Sequence, residues 1–419
     1  MRAALVFLLS LVACGGPDPR LIKGGGIGDG SIGGTLNIYV IDNETEQPIQ
    51  GATVEVGTKQ KTTDKTGLVV YSDVNGPQTI AISATGYRGT VWVKANGANV
   101  TIPVTKLGLP NPDQATLSGS INNWASVTVP TGHGKAALVL FSANDAAKDD
   151  ENNIKTPNNM NVCGVGMQVC NFSVNTRTGT VSLLAEVVDI DPATNTQTII
   201  GAAVKTGIQV ASGINQTGIT LDLVDAGNLE TVTIDFGAPP GALAKLQAVI
   251  GYELSGDEVA QLYVVPAGAT SVLVPKTSVY AGTTTRRLTA VAQSTAVTNP
   301  PQSAVIRRGL SGSSLSAGTW LDTPAGATIT RTNATFSAVT GALAHSVQWA
   351  DATGVLLDIT SFDAKTTTFD VPSLVALPTT GALTAAVNAI GATFSPNDFS
   401  LDDDRDKLWG ISTQPAPVN

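Results

Sequence analysis

Apolar and polar positions alternate in short bursts along most of this chain. Leu36, Ile38 and Val40 alternate with Asn37 and Tyr39, and Thr53-Val54-Glu55-Val56, Leu68-Val69-Val70-Tyr71 and Thr79-Ile80-Ala81-Ile82 follow at short intervals. A period of two puts every second side chain on one face, so each burst predicts a half-buried strand. Turn-forming residues separate the bursts at 42–48, at Asp64-Lys65-Thr66-Gly67 and at Asn75-Gly76. After Pro110-Asn111-Pro112, which disfavours continuous sheet or helix, strands are predicted at 115–121, 136–141, 180–188, 202–210 and 219–224. A third series covers 232–236, 246–252, 259–265, 271–274 and 288–293; a short helix fits 242–249, but the alternation after it favours a strand. The polar stretch 144–161 is too long for a compact hairpin and reads as a surface excursion. No repeat period emerges, which excludes a solenoid.

Composition supports the same class. Charged residues are 14% and aromatics 5%, against 43 glycines and 22 prolines, a balance that suits many short strands and turns better than long salt-bridged helices. The fold class is therefore all-β, a tandem of antiparallel β-sandwich domains of the Ig, transthyretin and fibronectin III kind. At about 100 to 200 residues per domain the chain has room for two to four. We place units at 35–107, 114–226, 228–308 and 319–416, with protease-sensitive links near 107–112 and 310–317. The net charge of −9, and the lack of any basic run beyond Arg286-Arg287 and Arg307-Arg308, leave no footprint for nucleic acid.

Candidate chemistry is sparse. His133 and His345 fall in different units and outside any zinc-hydrolase spacing. No G-x-S-x-G elbow occurs. Gly28, Gly30 and Gly33 match G-x-G-x-x-G formally, but no strand is predicted before them and no helix after, so they do not read as a dinucleotide site. No catalytic residue is assigned, and the chain reads as a non-enzyme without a required cofactor. Two acidic runs offer hard oxygens suited to a weak Ca²⁺ site: Asp149, Asp150 and Glu151, and Asp402, Asp403 and Asp404. Trp124 and Trp409 flank turn-forming residues and are the candidate exposed aromatics for ligand binding, whereas Trp349 alternates with Val347 and points inward. In an oxidising envelope Cys163 and Cys170, separated by a segment with two glycines, read as a local disulfide.

The first residues carry an address. Arg2 is a positive n-region, 3–12 an apolar run, Ala13 a small residue before the cut and Cys14 the residue after it. This resembles the lipobox of bacterial lipoproteins. The resemblance implies that 1–13 is a signal peptide and that Cys14 is joined to diacylglycerol, N-acylated with a palmitate-type chain and held in a membrane. Gly15 and Gly16 follow with no Asp, which by the enterobacterial sorting pattern implies the outer membrane. Nothing after residue 13 approaches the ~20 apolar residues that span a bilayer, so attachment rests on lipid. The glycine-rich stretch 14–34 reads as a flexible tether.

Two units resemble known families. Asp42, Thr45, Pro48-Ile49, Gly51-Ala52-Thr53-Val54, Thr63-Asp64, Gly67, Gly76-Pro77 and Gly86-Tyr87 resemble the carboxypeptidase regulatory-like family, a transthyretin-like fold, over 35–107. That family's fold is non-catalytic and implies an adhesive, spacer or binding module. Thr335-Phe336-Ser337-Ala338-Val339-Thr340-Gly341-Ala342, Ser346-Val347-Gln348-Trp349 and the run 383–390 resemble a fibronectin type III module, with His345 where that family has an aromatic. The expected role is a lipid-anchored, extracytoplasmic binding or spacer protein that meets an envelope protein or polysaccharide. The alternative is a carbohydrate-binding or polysaccharide-associated lipoprotein.

Overall fold

A computed structural model describes residues 20–108, 114–142, 160–162, 167–194, 196–254, 259–265, 268–280, 284–295, 300–401 and 403–419. Among them the chain is all-β, with short 3-10 turns and no α-helix. The strands form sheets of twelve, seven, five, three and three strands. The alternation behaves as a strand period should: in Cys170–Arg177, for example, Cys170, Phe172, Val174 and Thr176 turn inward while Asn171, Ser173 and Asn175 face out.

The first unit is a two-sheet sandwich. Gly33–Asp42 pairs antiparallel with Leu68–Asn75 and parallel with Asn99–Val104, while Thr53–Val56, Lys59–Thr62, Gln78–Ser83 and Gly89–Ala95 form the facing layer. Leu36, Ile38, Val54, Ile80, Ile82 and Val100 fill the space between. The motif residues close its turns. Asp42 Oδ1 accepts the N–H groups of Glu44 and Thr45, each at 2.9 Å, and Oδ2 accepts the Tyr87 hydroxyl at 2.7 Å and faces Lys106 at 3.0 Å. The Thr63 hydroxyl donates to the Ile49 carbonyl at 2.7 Å and accepts the Ala52 N–H at 3.0 Å. Gly67 sits at φ 73°, and a Cβ there would stand 2.6 Å from the Val40 carbonyl oxygen, so both conformation and space require glycine.

The glycine-rich stretch departs from the tether expectation over its described part. Gly26–Ile27 is a strand, antiparallel to Asn99–Val104 on one side and to Phe399–Ser400 on the other. Ile27 and Ile32 are buried in the first unit's core. The Ile22 N–H donates to Thr101 Oγ1 at 2.9 Å, and the Leu401 N–H to the Gly25 carbonyl at 2.8 Å. The two isoleucines supply apolar area that a purely polar linker would lack, and sheet pairing satisfies the glycine backbone. Gly28 therefore follows a short strand, but Gly33 opens another strand rather than a helix.

The twelve-stranded sheet makes the units one frame. Its order runs from Val259–Val265, Lys245–Glu253, Thr285–Gln293 and Gln302–Leu310, through Leu408–Pro417, Thr384–Ala392, Ala344–Asp351 and Gly354–Ser361, to Gly89–Ala95 and the remaining first-unit strands. The third unit joins the fourth by antiparallel pairing of Gln302–Leu310 with Leu408–Pro417. The fourth joins the first by parallel pairing of Gly354–Ser361 with Gly89–Ala95. The third unit also continues beyond 308. Ser314–Ser316 pairs parallel with Leu229–Asp235, and Leu315 and Ala317 are buried in the same core, so 310–317 is no open link. The fourth unit packs Trp349, Ile359, Phe369 and Val387 between its part of the long sheet and the layer of Thr328–Ile329, Asn333–Thr335 and Thr368–Asp370.

The second unit is a seven-stranded sheet around its own core, with Leu117, Trp124, Val139, Leu183 and Leu221 inside. One outer face of it packs on the third unit, where Leu140 and Leu184 share a cluster with Val265 and Val274.

Candidate functional site

Among the described residues, those singled out from sequence do not converge. Cys14, Cys163, Asp149, Asp150, Glu151 and Asp402 lie outside the described residues. Cys170 is buried at the start of its strand. Asp403 is exposed, while Asp404 accepts the Ser400 N–H at 2.9 Å and pairs with Lys407, which commits its carboxylate to a local turn. Among the described residues no group of three or more His, Cys, Asp and Glu could hold a metal ion.

Trp124 is not the exposed aromatic expected. Asn123 adopts φ 56°, which turns the 3-10 segment Trp124–Ser126 inward and leaves Trp124 fully buried. Lys135 covers it, its ammonium 4.4 Å from the ring centroid and donating to the carbonyls of Trp124 and Val127 at 2.7 and 2.6 Å. Burial pushes the Lys135 ammonium below its ordinary value. Trp409 is half-buried beside Leu321 and Val339, with the Arg307 guanidinium 5.6 Å above the ring. Neither ring offers the bare face that stacks on a sugar.

Each histidine has a local partner. His133 Nδ1 lies 2.9 Å from Asp189 Oδ1 across a strand pair. His345 is fully buried against Phe336, its Nε2 accepting the Val339 N–H at 3.2 Å, and burial holds its ring below the ordinary histidine range. The arginine pairs 286–287 and 307–308 supply side chains that fasten the third unit. Arg286, 2% exposed, pairs with Glu230 at 2.5 Å and donates to the Gly312 and Pro275 carbonyls. Arg307 donates to Ala317 at 2.8 Å, and Arg308 reaches across to the Leu408 carbonyl at 2.5 Å.

Sequence reasoning missed two features. Glu186, 6% exposed on the face of the second unit turned to the third, has no hydrogen-bond partner for Oε1 among the described residues. Desolvation pushes its carboxyl up to about 8. In sequence it is one polar position in a strand, and no local signal marks its burial.

The second is a groove of about 450 Å³ where the first, third and fourth units meet. Six neighbouring strands of the long sheet form its floor, contributing Ile306, Ile411, Ile390, Ala344, Thr360 and Trp92 in that order. Phe362, Phe394, Leu401 and Pro103 stand around this floor, and Arg88, Asp358 and Asn43 add polar groups. Ile411 is 40% exposed, so the apolar floor reaches solvent. A lining of this kind, mainly apolar with a few polar groups at its edge, suits an apolar ligand.

No protein-family profile and no curated protein sequence matches this chain. Among solved structures, "The Bacillus anthracis TIE protein" is similar at 13% identity over 67% of this chain and 49% of that one, with a TM-score of 0.15. The chain thus spans about half of that protein's length, and a likeness at this TM-score carries no argument about fold or function.

Proposed function

We propose that this is a lipid-anchored, extracytoplasmic protein that acts without catalysis, as a binding and spacer element of the cell envelope. The observation that carries the reading is the frame itself. The stretch just after the lipobox enters as a strand clasped between the first and fourth units, and one sheet runs on through the first, fourth and third. A chain anchored at Cys14 would thereby carry its first, third and fourth units as one body, as a spacer or presenting module must. The second unit would be presented from the third, and a Cys163–Cys170 disulfide would brace the start of its strand Cys170–Arg177.

The test is fractionation of cells grown with labelled palmitate. Wild-type chain should carry label and partition with membranes, outer membranes if Gly15 and Gly16 sort as in enterobacteria, and Cys14→Ser should lose both. Label persisting in Cys14→Ser would remove the anchor from the proposal. Mass spectrometry of unreduced peptides should find Cys163 joined to Cys170, and quantitative alkylation of both without reductant would count against the bridge. The purified chain should turn over no peptide, ester or glycoside substrate; turnover abolished by one carboxylate or histidine substitution would sink the non-enzymatic assignment.

A further inference from the structure

We infer that the apolar groove between the first, third and fourth units is the resting place of one of the acyl chains carried by Cys14, an inference that rests on the lipid-anchored reading. Three observations lead there. Along this floor of the long sheet Ile411 is 40% exposed and its neighbours Ile306 and Ile390 are half-buried, so one end stands open, while Ala344 and Trp92 are buried. Six strands at a spacing of about 4.8 Å make that floor about 24 Å long, which suits a palmitoyl chain laid across the strands. The anchored end of the polypeptide enters the fold at the groove's edge: a Cβ added to Gly25 would stand 2.5 Å from Pro103 Cδ and 3.3 Å from Leu401 Cδ1, and both residues line the groove.

Reach is sufficient. Ile22, fixed by its N–H on Thr101 Oγ1, stands eight positions after Cys14, and extended chain covers about 3.3 to 3.6 Å per residue, or at most about 29 Å. That span lets an acyl chain on Cys14 meet the groove without moving Gly25 out of its seat beside Pro103 and Leu401. Occupancy would cover hydrocarbon that is otherwise exposed whenever the protein is out of the bilayer, and would exchange it for membrane on anchoring. The groove and the bilayer then compete for that one chain, while the remaining acyl chains keep the protein on the membrane.

The experiment uses the full chain in two forms, mature lipidated protein and Cys14→Ser, titrated in detergent-free buffer with the fluorescent fatty acid parinaric acid and competed with palmitate. Cys14→Ser should bind one equivalent saturably, and the lipidated form should not, because its own acyl chain holds the site. Ile390→Trp, which fills the floor, should weaken binding to the Cys14→Ser chain by about tenfold, the worth of roughly two buried methylenes. Ile411→Asn, at a more exposed floor position, guards against misfolding of the first variant and should weaken binding in the same direction with an unchanged melting transition. Equal binding by lipidated and Cys14→Ser chains overturns occupancy by the chain's own lipid. Absence of saturable binding, or binding indifferent to both floor substitutions, overturns the site. Loss of palmitate label from wild-type cells is a separate result that removes the anchor and not the groove.

Discussion

Asp42 in the first unit and Glu186 in the second are both buried carboxyls, 4% and 6% exposed, and their environments drive them in opposite directions. Burial pushes Asp42 up, but the Tyr87 hydroxyl, the Thr45 N–H, Lys106 and the Glu44 N–H outweigh it and hold the group down at about 2. Glu186 is desolvated more deeply, with no partner for Oε1 among the described residues to oppose it, and rises to about 8. The contrast shows that burial sets the cost of a charge while local donors decide whether the charge survives. It also separates two uses of an acid in one molecule: Asp42 ties together the turn that starts a sandwich, and Glu186 spoils an otherwise apolar face where two units meet.

The largest expected effect tests whether pairing is what distinguishes them. Arg286 is a buried charge supplied with partners, like Asp42, so Arg286→Ala should cost about 4 kcal/mol by leaving Glu230 and two carbonyls unpaired. Urea denaturation of the full chain measures it, and a loss within error of zero would break the rule for the third unit.

Glu186→Gln should do the reverse and stabilise the protein, by about 3 kcal/mol at pH 7. Between its ordinary value near 4.5 and its folded value of about 8, the folded chain holds a proton that the unfolded chain has released. Its stabilising contribution is therefore complete below 4.5 and is lost as pH rises towards 8. Melting curves over that window should fall with pH in wild type and flatten in Glu186→Gln. A destabilised glutamine variant would mean that the carboxyl has a partner.

Asp42→Asn should cost about 2 kcal/mol, because one oxygen becomes a donor facing the Tyr87 hydroxyl or the turn N–H groups. Here the folded value lies below the ordinary 3.8, so the contribution is present above pH 3.8 and is lost as pH falls towards 2. Acid titration of both variants should show opposite slopes in separate windows. The smallest effect is at Lys135. Replacement by Met removes two hydrogen bonds but also a desolvated ammonium, and the net loss should be about 1 kcal/mol by thermal melting; a clear gain would place Lys135 with Glu186 as a poorly compensated charge.

Legibility in the sequence follows the range of the interactions. The turns at Asp42 and Asp64 could be read because each carboxylate accepts backbone N–H groups two to four residues on, whereas Thr63 and Gly67 answer to distant backbone at Ala52 and Val40. The strand Lys245–Glu253 could be told from a helix by its alternation. Trp124 was misplaced because turn-forming neighbours signal a bend and not its direction, and the left-handed Asn123 sends the ring inward. The strand Cys170–Arg177 was overlooked although its alternation is regular, since its outward positions are all polar and small. The groove was invisible, because its floor collects single residues from strands as far apart in the chain as Trp92 and Ile411.

The sequence by itself determined the all-β class, most strand positions and the turns that Asp42 and Asp64 close, all of which depend on residues close together along the chain. Tertiary structure alone decided that Gly26–Ile27 is a clasped strand, that Arg286 is buried and paired, that Glu186 is buried without a partner for Oε1, and that three units share one sheet. The physical reason is that alternation specifies which side chains turn inward, whereas the partner across a sheet edge is chosen by backbone hydrogen bonds that any sequence can supply.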